Sequence, residues 1–249
     1  MIAMTIGIER IFREELTSTN NHAIKLLSVE KPREGTIIRT GYQTAGRGQP
    51  GNSWESEKDK NLLFSIILYP VMIRPDKQFI VSMALSLGIN DFLKRHVSGS
   101  SIKWPNDIYV KDDKIAGILI ESSTIGEKIQ YLVAGIGFNL NQEKFMSAAP
   151  NPVSLKQLTG VEYNPEDCIN ELSQYLDIRY EQLKKGDITN IKKDYSKHLF
   201  RYGKWSDFKA PEGSFPGIIK KVDEDGCLTI VKRSGEERHF YFKEVEFVL

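Results

Sequence analysis

The chain has almost no cysteine to work with. Cys168 and Cys227 are its only two in 249 residues and stand far apart. That excludes a disulfide framework and a paired zinc spacing, and it fits a reducing compartment, the cytoplasm. The four histidines, His22, His96, His198 and His239, share no metal-ligand spacing. There is also no Gly-x-Ser-x-Gly elbow, so metalloenzyme and serine-hydrolase classes have no support. An excess of charge is missing as well: 34 Lys and Arg against 33 Asp and Glu leave a net +1. Nothing in that balance draws the chain to bulk nucleic acid or to an anionic membrane, so any anion chemistry must be local. No apolar run approaches the roughly 20 residues that span a bilayer, and the N-terminus, with Glu9 in it, has no apolar signal core. A soluble, unexported protein is expected. What is present is 40% apolar residues, enough for a real core in one large domain plus one small.

Along the chain, residues 6–16 are mixed. Ser18-Thr19-Asn20 then offers hydroxyl and amide caps to a short helix bearing Ala23, Ile24, Leu26 and Leu27. Residues 36–42 form a β-branched strand, and residues 62–69 an apolar run suited to a strand buried on both faces. Between them, residues 43–61 are polar and glycine-rich with neither helical nor strand period, which predicts a long functional loop. Pro75 opens a helix that runs to about His96. Residues 102–110 and 115–121 are strand-like and joined by the polar turn Lys111-Asp112-Asp113-Lys114, a hairpin. A third strand, residues 130–140, contains Gly135 and Gly137. Glycine weakens a strand interior, so the pair predicts close approach of something to the backbone. Asn164-Pro165 caps and opens a helix to about Lys185, and Asp187 caps another through His198. From about Gly203 the texture changes to short β-rich pieces, residues 217–222, 227–232 and 238–242, set between close turns. That pattern predicts a small separate β-barrel.

The chemistry is sought in the glycine-rich loop. Gly46-Arg47-Gly48-Gln49-Pro50-Gly51 matches G-x-G-x-x-G, but a dinucleotide fold needs that motif to open a packed helix, and residues 52–60 have no apolar period. The spacing from Gly41 to Gly46 suits a P-loop, yet Arg47-Gly48 stands where Lys and Ser or Thr are required. What remains is a set of backbone N–H groups free to face an anion, beside a permanently charged guanidinium. Lys103-Trp104-Pro105-Asn106-Asp107 then brings a cation, an aromatic ring, an amide and a carboxylate into one stretch that Pro105 interrupts. Lys114-Ile115-Ala116-Gly117 begins the return strand, and hairpin geometry sets it near Tyr109 and Asp107. Arg47, Lys103 and Lys114 are therefore three cations on glycine- or proline-rich segments. Taken singly, the loop that carries Arg47 reads equally well as an ordinary surface turn, and each lysine reads better as a solvated surface charge.

Taken together they resemble a known family. Ser18-Thr19-Asn20, Gln43-Thr44-Ala45-Gly46-Arg47-Gly48, Trp54, Lys103-Trp104-Pro105-Asn106-Asp107, Lys114-Ile115-Ala116-Gly117-Ile118-Leu119 and Gly135-Ile136-Gly137-Phe138-Asn139 occur in the order and rough spacing of the biotin–protein ligases. The resemblance is strong over residues 11–140. It implies an α+β fold: a class II aminoacyl-tRNA synthetase-like mixed sheet with helices, followed by a small SH3-like C-terminal barrel, divided as residues 1–202 and 203–249. It implies ATP and Mg²⁺, the metal held mainly through the ATP phosphates, and biotin as substrate. Carried over by position, it assigns Ser18, Thr19, Gln43, Gly46, Arg47, Lys114 and Gly117 to biotin, and Arg47, Trp54, Lys103, Asn106 and Asn139 to the nucleotide. The implied reaction forms biotinoyl-5′-AMP and passes biotin to a lysine of a biotin carboxyl carrier domain of a carboxylase. Some members form homodimers. Others repress transcription through an N-terminal domain, for which the 17 residues before Ser18 are too few; no DNA operator is expected. Gln49 departs from the Gly-Arg-Gly-Arg pattern of well-known bacterial members, which removes one charge from the lid.

These residue types suit adenylation. Joining a carboxylate to the α-phosphate of ATP presses two anions together, so positive charge is needed where negative charge builds. Lys114 is assigned to the biotin carboxylate, Arg47 to its junction with the α-phosphate, and Lys103 to the phosphates. Asp107 is assigned to orient and accept from the acceptor amine, which is mostly protonated at neutral pH. Catalysis is thus expected of Arg47, Lys103, Asp107 and Lys114. Two rival readings remain at this point: a lipoate–protein ligase or octanoyl transferase, and a non-catalytic biotin sensor.

Overall fold

The computed structural model describes residues 4–147 and 151–248. Its frame is a seven-stranded sheet of β1 (Arg10–Leu16), β2 (Ile37–Gln43), β3 (Leu62–Leu68), β4 (Ser100–Lys103), β5 (Asp107–Val110), β6 (Asp113–Ile125) and β7 (Lys128–Phe138). The order is β1-β2-β3-β7-β6-β5-β4. Only β1 and β2 run parallel; every other neighbouring pair is antiparallel, so the sheet is mixed. β3 lies mid-sheet and is buried at every position, as its unbroken apolar run requires.

Helices cover both faces. The short helix α1 (Thr19–Leu27) seats Ala23 on Ile38, Ile67 and Val133. The alternate residues of the same strands, such as Ile37, Ile66 and Ala134, face a larger core with α2 (Phe79–Leu93). All but one of the 15 residues of α2 are buried, because α4 (Pro165–Lys184) and α5 (Ile188–His198) pack over its outer side. Gly88 permits the α2–α4 contact: a Cβ there would stand 2.9 Å from the Leu176 Cα. Asn164 caps α4 as expected, its Oδ1 accepting from the Glu166 and Asp167 amides at 2.8 and 3.3 Å. A short α3 (Leu155–Thr159) lies between β7 and α4. The fold is therefore α+β, with a large mixed sheet and helices.

A second, five-stranded sheet holds β8 (Ser206–Ala210), β9 (Gly213–Val222), β10 (Leu228–Lys232), β11 (Glu237–Phe240) and β12 (Glu246–Phe247), ordered β11-β10-β9-β8-β12. Its apolar side, including Phe208, Ile219, Leu228 and Phe240, belongs to the same buried cluster as α2. Trp104 joins the two sheets: its indole Nε1 donates to the Gly226 carbonyl at 3.0 Å, and its ring meets Phe242 at 5.6 Å. Phe242 also packs on Phe79, and Lys243 Nζ donates to the Pro50 carbonyl at 2.6 Å. Among the described residues no helix is long and apolar enough to cross a membrane.

Several expectations change. The helix expected from Pro75 opens as a 3-10 turn, Pro75–Lys77, and the α-helix runs only from Phe79 to Leu93. Residues 102–110 are two strands, because the chain reverses at Trp104-Pro105-Asn106 and β4 pairs back on β5. Ser18 is the N-cap of α1 by position, yet its side chain makes no capping bond. The Thr19 amide is taken instead by Gln43 Oε1 at 2.8 Å.

Candidate active site

The site is built on the face of β6 and β7 that α1 shares, where Gly117 pairs with Gly137 and Leu119 with Gly135. A Cβ on Gly137 would come within 2.7 Å of three Trp54 ring atoms, and one on Gly117 would lie 3.1 Å from that ring. A Cβ on Gly135 would collide with Asn20 Oδ1. The close approach that the strand glycines predicted is thus made by an indole and an amide, which leaves a floor of bare backbone.

The β5–β6 hairpin supplies charge. Its register slips by one residue between Ile108 and Tyr109, so Asp107 opposes Gly117 while Tyr109 opposes Lys114. The slip turns Lys114 onto the face that Asp107 and Gly117 share. Lys114 Nζ then lies 2.7 Å from Asp107 Oδ1 and 5.6 Å from the Trp54 ring. Its backbone is pinned on both sides: its amide donates to the Asn151 carbonyl at 2.7 Å and its carbonyl accepts from the Val153 amide at 2.9 Å.

At the inner end the groups are neutral. Gln43 Oε1 accepts from the Thr19 amide at 2.8 Å and its hydroxyl at 3.2 Å. Ser65 Oγ lies 2.7 Å from Thr19 Oγ1 and 2.6 Å from Asn20 Oδ1. The glycine-rich loop closes the other side through a bridge between Arg47 and Ser53. Arg47 lies 2.5 Å from Glu121 Oε2. Gly46 is needed by close approach, since a Cβ there would fall 2.5 Å from the Trp54 carbonyl oxygen.

The cleft so formed is lined by Ser18, Thr19, Gln43, Arg47, Trp54, Asn106, Asp107, Lys114 and Gly117. Gly46 stands behind this lining, shaping the loop rather than facing the space. Asn139 lines a second, smaller cavity, with Trp54 and Lys114 forming the partition between the two. Trp54 Nε1 in that partition and Asn139 Oδ1 in the wall of the second cavity are buried with no hydrogen-bond partner. Asn106 ties the turn to β6, its Nδ2 donating to the Ile118 carbonyl at 2.7 Å.

Lys103 lines neither cavity. It opposes Asp107 across β4 and β5 and so shares that face, but its Nζ donates to the Tyr109 hydroxyl at 3.1 Å. It lies over the Tyr109 and Phe247 rings, at 4.7 and 5.5 Å. The reason is position: β4 is the sheet's edge, and the second sheet brings Phe247 over it. Burial there lowers the Lys103 pKa, against the opposing pull of Asp107. Of the three cations, two converge on the cleft and the third sits beside it. Asn20, quoted in the Ser18-Thr19-Asn20 motif but assigned no site role, also belongs to the arrangement, as do Ser65 and Glu121, which were not singled out; of these two, Ser65, a hydroxyl inside an apolar run, left a visible mark in the sequence.

Among the described residues no group of three or more His, Cys, Asp or Glu is placed to hold a metal ion.

Residues 13–139 match the model of the biotin/lipoate A/B protein ligase family. A bifunctional ligase/repressor of Bacillus subtilis is 26% identical, the alignment covering 97% of this chain and 74% of that one. A biotin–[acetyl-CoA-carboxylase] ligase of Paracoccus denitrificans is 28% identical, covering 88% and 93%. The fold is shared with a biotin protein ligase from Aquifex aeolicus, solved with biotin and ATP, at a TM-score of 0.80 and 23% identity over 97% of this chain and 100% of that one. The chain belongs to the biotin/lipoate A/B protein ligase family.

Proposed function

We propose that the chain activates biotin with ATP as biotinoyl-5′-AMP and passes the biotinoyl group to a lysine of a biotin carboxyl carrier domain. The observation that supports this most is that Arg47 and Lys114 both line one cleft, floored by strand glycines, whose wall also holds the neutral groups of Ser18, Thr19 and Gln43. A small neutral ring with a carboxylate tail suits such a slot: Ser18, Thr19 and Gln43 offer hydrogen bonds to the ring, and the cations receive the acid.

In the first step a carboxylate oxygen attacks the α-phosphorus and the bond to the β-phosphate oxygen breaks, releasing pyrophosphate. Lys114 holds the carboxylate, and Arg47 offsets charge at the junction. Trp54 and Asn139, with their unpartnered polar atoms, face the nucleotide. Asn106 holds the turn that aims Asp107, and Lys103, one strand further out, is a second-line cation for the phosphates. Mg²⁺ would travel with ATP.

In the second step the acceptor amine attacks the acyl carbon and AMP leaves. Asp107, already paired with Lys114, is the carboxylate within reach to orient that amine and take its proton. The loop around Arg47 limits hydrolysis of the mixed anhydride by covering it. On this reading residues 1–202 form a class II synthetase-like catalytic unit and residues 203–249 an SH3-like barrel, working in the cytoplasm on a carboxylase.

The test is biotin-dependent exchange of labelled pyrophosphate into ATP. Wild-type protein should exchange with biotin, and Lys114→Ala should lower the rate by about 10²–10³, the usual cost of one charge-stabilising donor. Exchange supported by lipoate or octanoate and not by biotin would overturn the reading in favour of the family's other branch.

A further inference from the structure

Both cations that line the cleft are already paired, but with carboxylates of different standing. Asp107, the partner of Lys114, lines the cleft itself. Glu121, the partner of Arg47, follows Gly117 and Leu119 at alternate positions of β6 and so shares their face at the outer end of the floor. Its Oε2 also accepts from Asn20 Nδ2 at 2.8 Å. Asn20 is buried and fixed from its other side by Ser65 Oγ at 2.6 Å, while Nδ2 also reaches the Leu119 carbonyl at 3.2 Å. The carboxylate is thus held in place by an immobile amide, and the guanidinium at the tip of the loop comes to it.

We propose that Glu121 is a latch for the site's loop: a built-in carboxylate that holds Arg47 until a substrate anion displaces it. This rests on the reading of the cleft as a site for an acid. Arg47 gives Glu121 its Nη2, so an incoming carboxylate or phosphate that takes the guanidinium through that nitrogen competes with Glu121 for it. Only a ligand that brings negative charge can offset the loss of that partner. Glu121 therefore makes the site discriminate the free acid from its neutral derivatives, and it keeps the loop in one resting position while the cleft is empty. Glu121 acts through Arg47 and is a positioning and specificity residue, not a catalytic one.

Glu121→Gln is the variant of choice, because the amide oxygen still accepts from Asn20 while the negative charge facing Arg47 is lost. Two measurements read the latch. In ligand-free protein, trypsin should cleave after Arg47 several-fold faster in Glu121→Gln than in wild type, since the freed loop samples extended conformations. In titrations without ATP, biotin should bind Glu121→Gln about two- to five-fold more tightly, the range of a partly exposed ion pair. Biotinamide, which lacks the charge, should bind wild type and variant equally. The biotin effect should vanish in an Arg47→Ala background. Unchanged cleavage together with unchanged or weakened biotin binding would overturn the latch, as would an equal gain with biotinamide or a gain that persists without Arg47. Wild-type exchange with biotin is measured alongside. Its absence would strike the functional reading, while the cleavage comparison, which needs no ligand, would still decide the latch.

Discussion

At Gly137 the absence of a side chain is a requirement of the site. Its backbone is not in the left-handed region, so alanine would be unstrained there, and the obstacle is the Trp54 ring within 2.7 Å of the new methyl group. A rigid indole cannot yield by rotating its far end, so Gly137→Ala should tilt Trp54 out of the partition. The expected cost is about 1–3 kcal/mol of overpacking in stability, with loss of pyrophosphate exchange out of proportion to it. Thermal melts, tryptophan fluorescence and exchange rates on one preparation check this; a variant that melts lower but exchanges normally would show that Trp54 is not part of the site. Proximity at this scale was legible only where a hairpin enforces it. Asp107 and Lys114 could be paired from the turn between them. Trp54 over Gly137 could not, since loop and strand are brought together by the whole fold. Lys103 looked like a cleft cation because nothing near it in sequence announces that Phe247 will cover it.

At the scale of elements, one carboxylate fastens the segment that follows β7 to the loop that follows β2. Glu55 accepts from the Met146 and Ser147 amides, at 2.8 and 2.7 Å, beside the cavity that Asn139 lines. Burial raises its pKa, but these hydrogen bonds outweigh burial and the net effect lowers it. A carboxyl held below its unfolded value, near ~4.3, stabilises the clasp above that pH and stops doing so as pH falls through the folded value. Hydrogen exchange at the Met146 and Ser147 amides, corrected for the intrinsic rate, should therefore accelerate on acidification below about pH 4. Glu55→Gln should show that faster exchange already at neutral pH, and unaltered protection would refute the clasp. The elements themselves were readable where pattern and punctuation agree: β3 by its apolar run, α4 by Asn164-Pro165, the β5–β6 hairpin by its polar turn. They were not where local signals conflict. β1, an edge strand with four of its seven residues charged, has no alternation to detect. The turn at Trp104-Pro105-Asn106 hides inside a strand-like stretch, so one strand stood for two. The bulge that aims Lys114 has no signature in composition at all.

For the molecule as a whole, the two sheets share one buried cluster, which reaches from Ile6 to Val245. Heat should unfold them together in a single calorimetric transition; two resolved transitions would refute a common core. Trp104→Phe tests the joint directly, because it keeps an aromatic ring at that position while removing the donor to the Gly226 carbonyl and part of the indole's volume. An unpaired buried carbonyl costs about 1–3 kcal/mol, so the transition should fall by several degrees while remaining single. That a small β-rich unit closes the chain was legible from its close-set turns; that its loops would reach back to the first sheet was not, because such contacts join residues remote in sequence.

The tether from Lys243 to the Pro50 carbonyl gives this closure a consequence in time. Residue 50 leaves the ribosome long before residue 243, and domains fold in the order in which they emerge. The cleft can thus be shaped early but is fastened at its lip only when the final strands are in place. A half-made chain would have nothing to cinch that rim, and so, on the proposed reading, would be poorly equipped to guard a reactive anhydride before its last strands had folded.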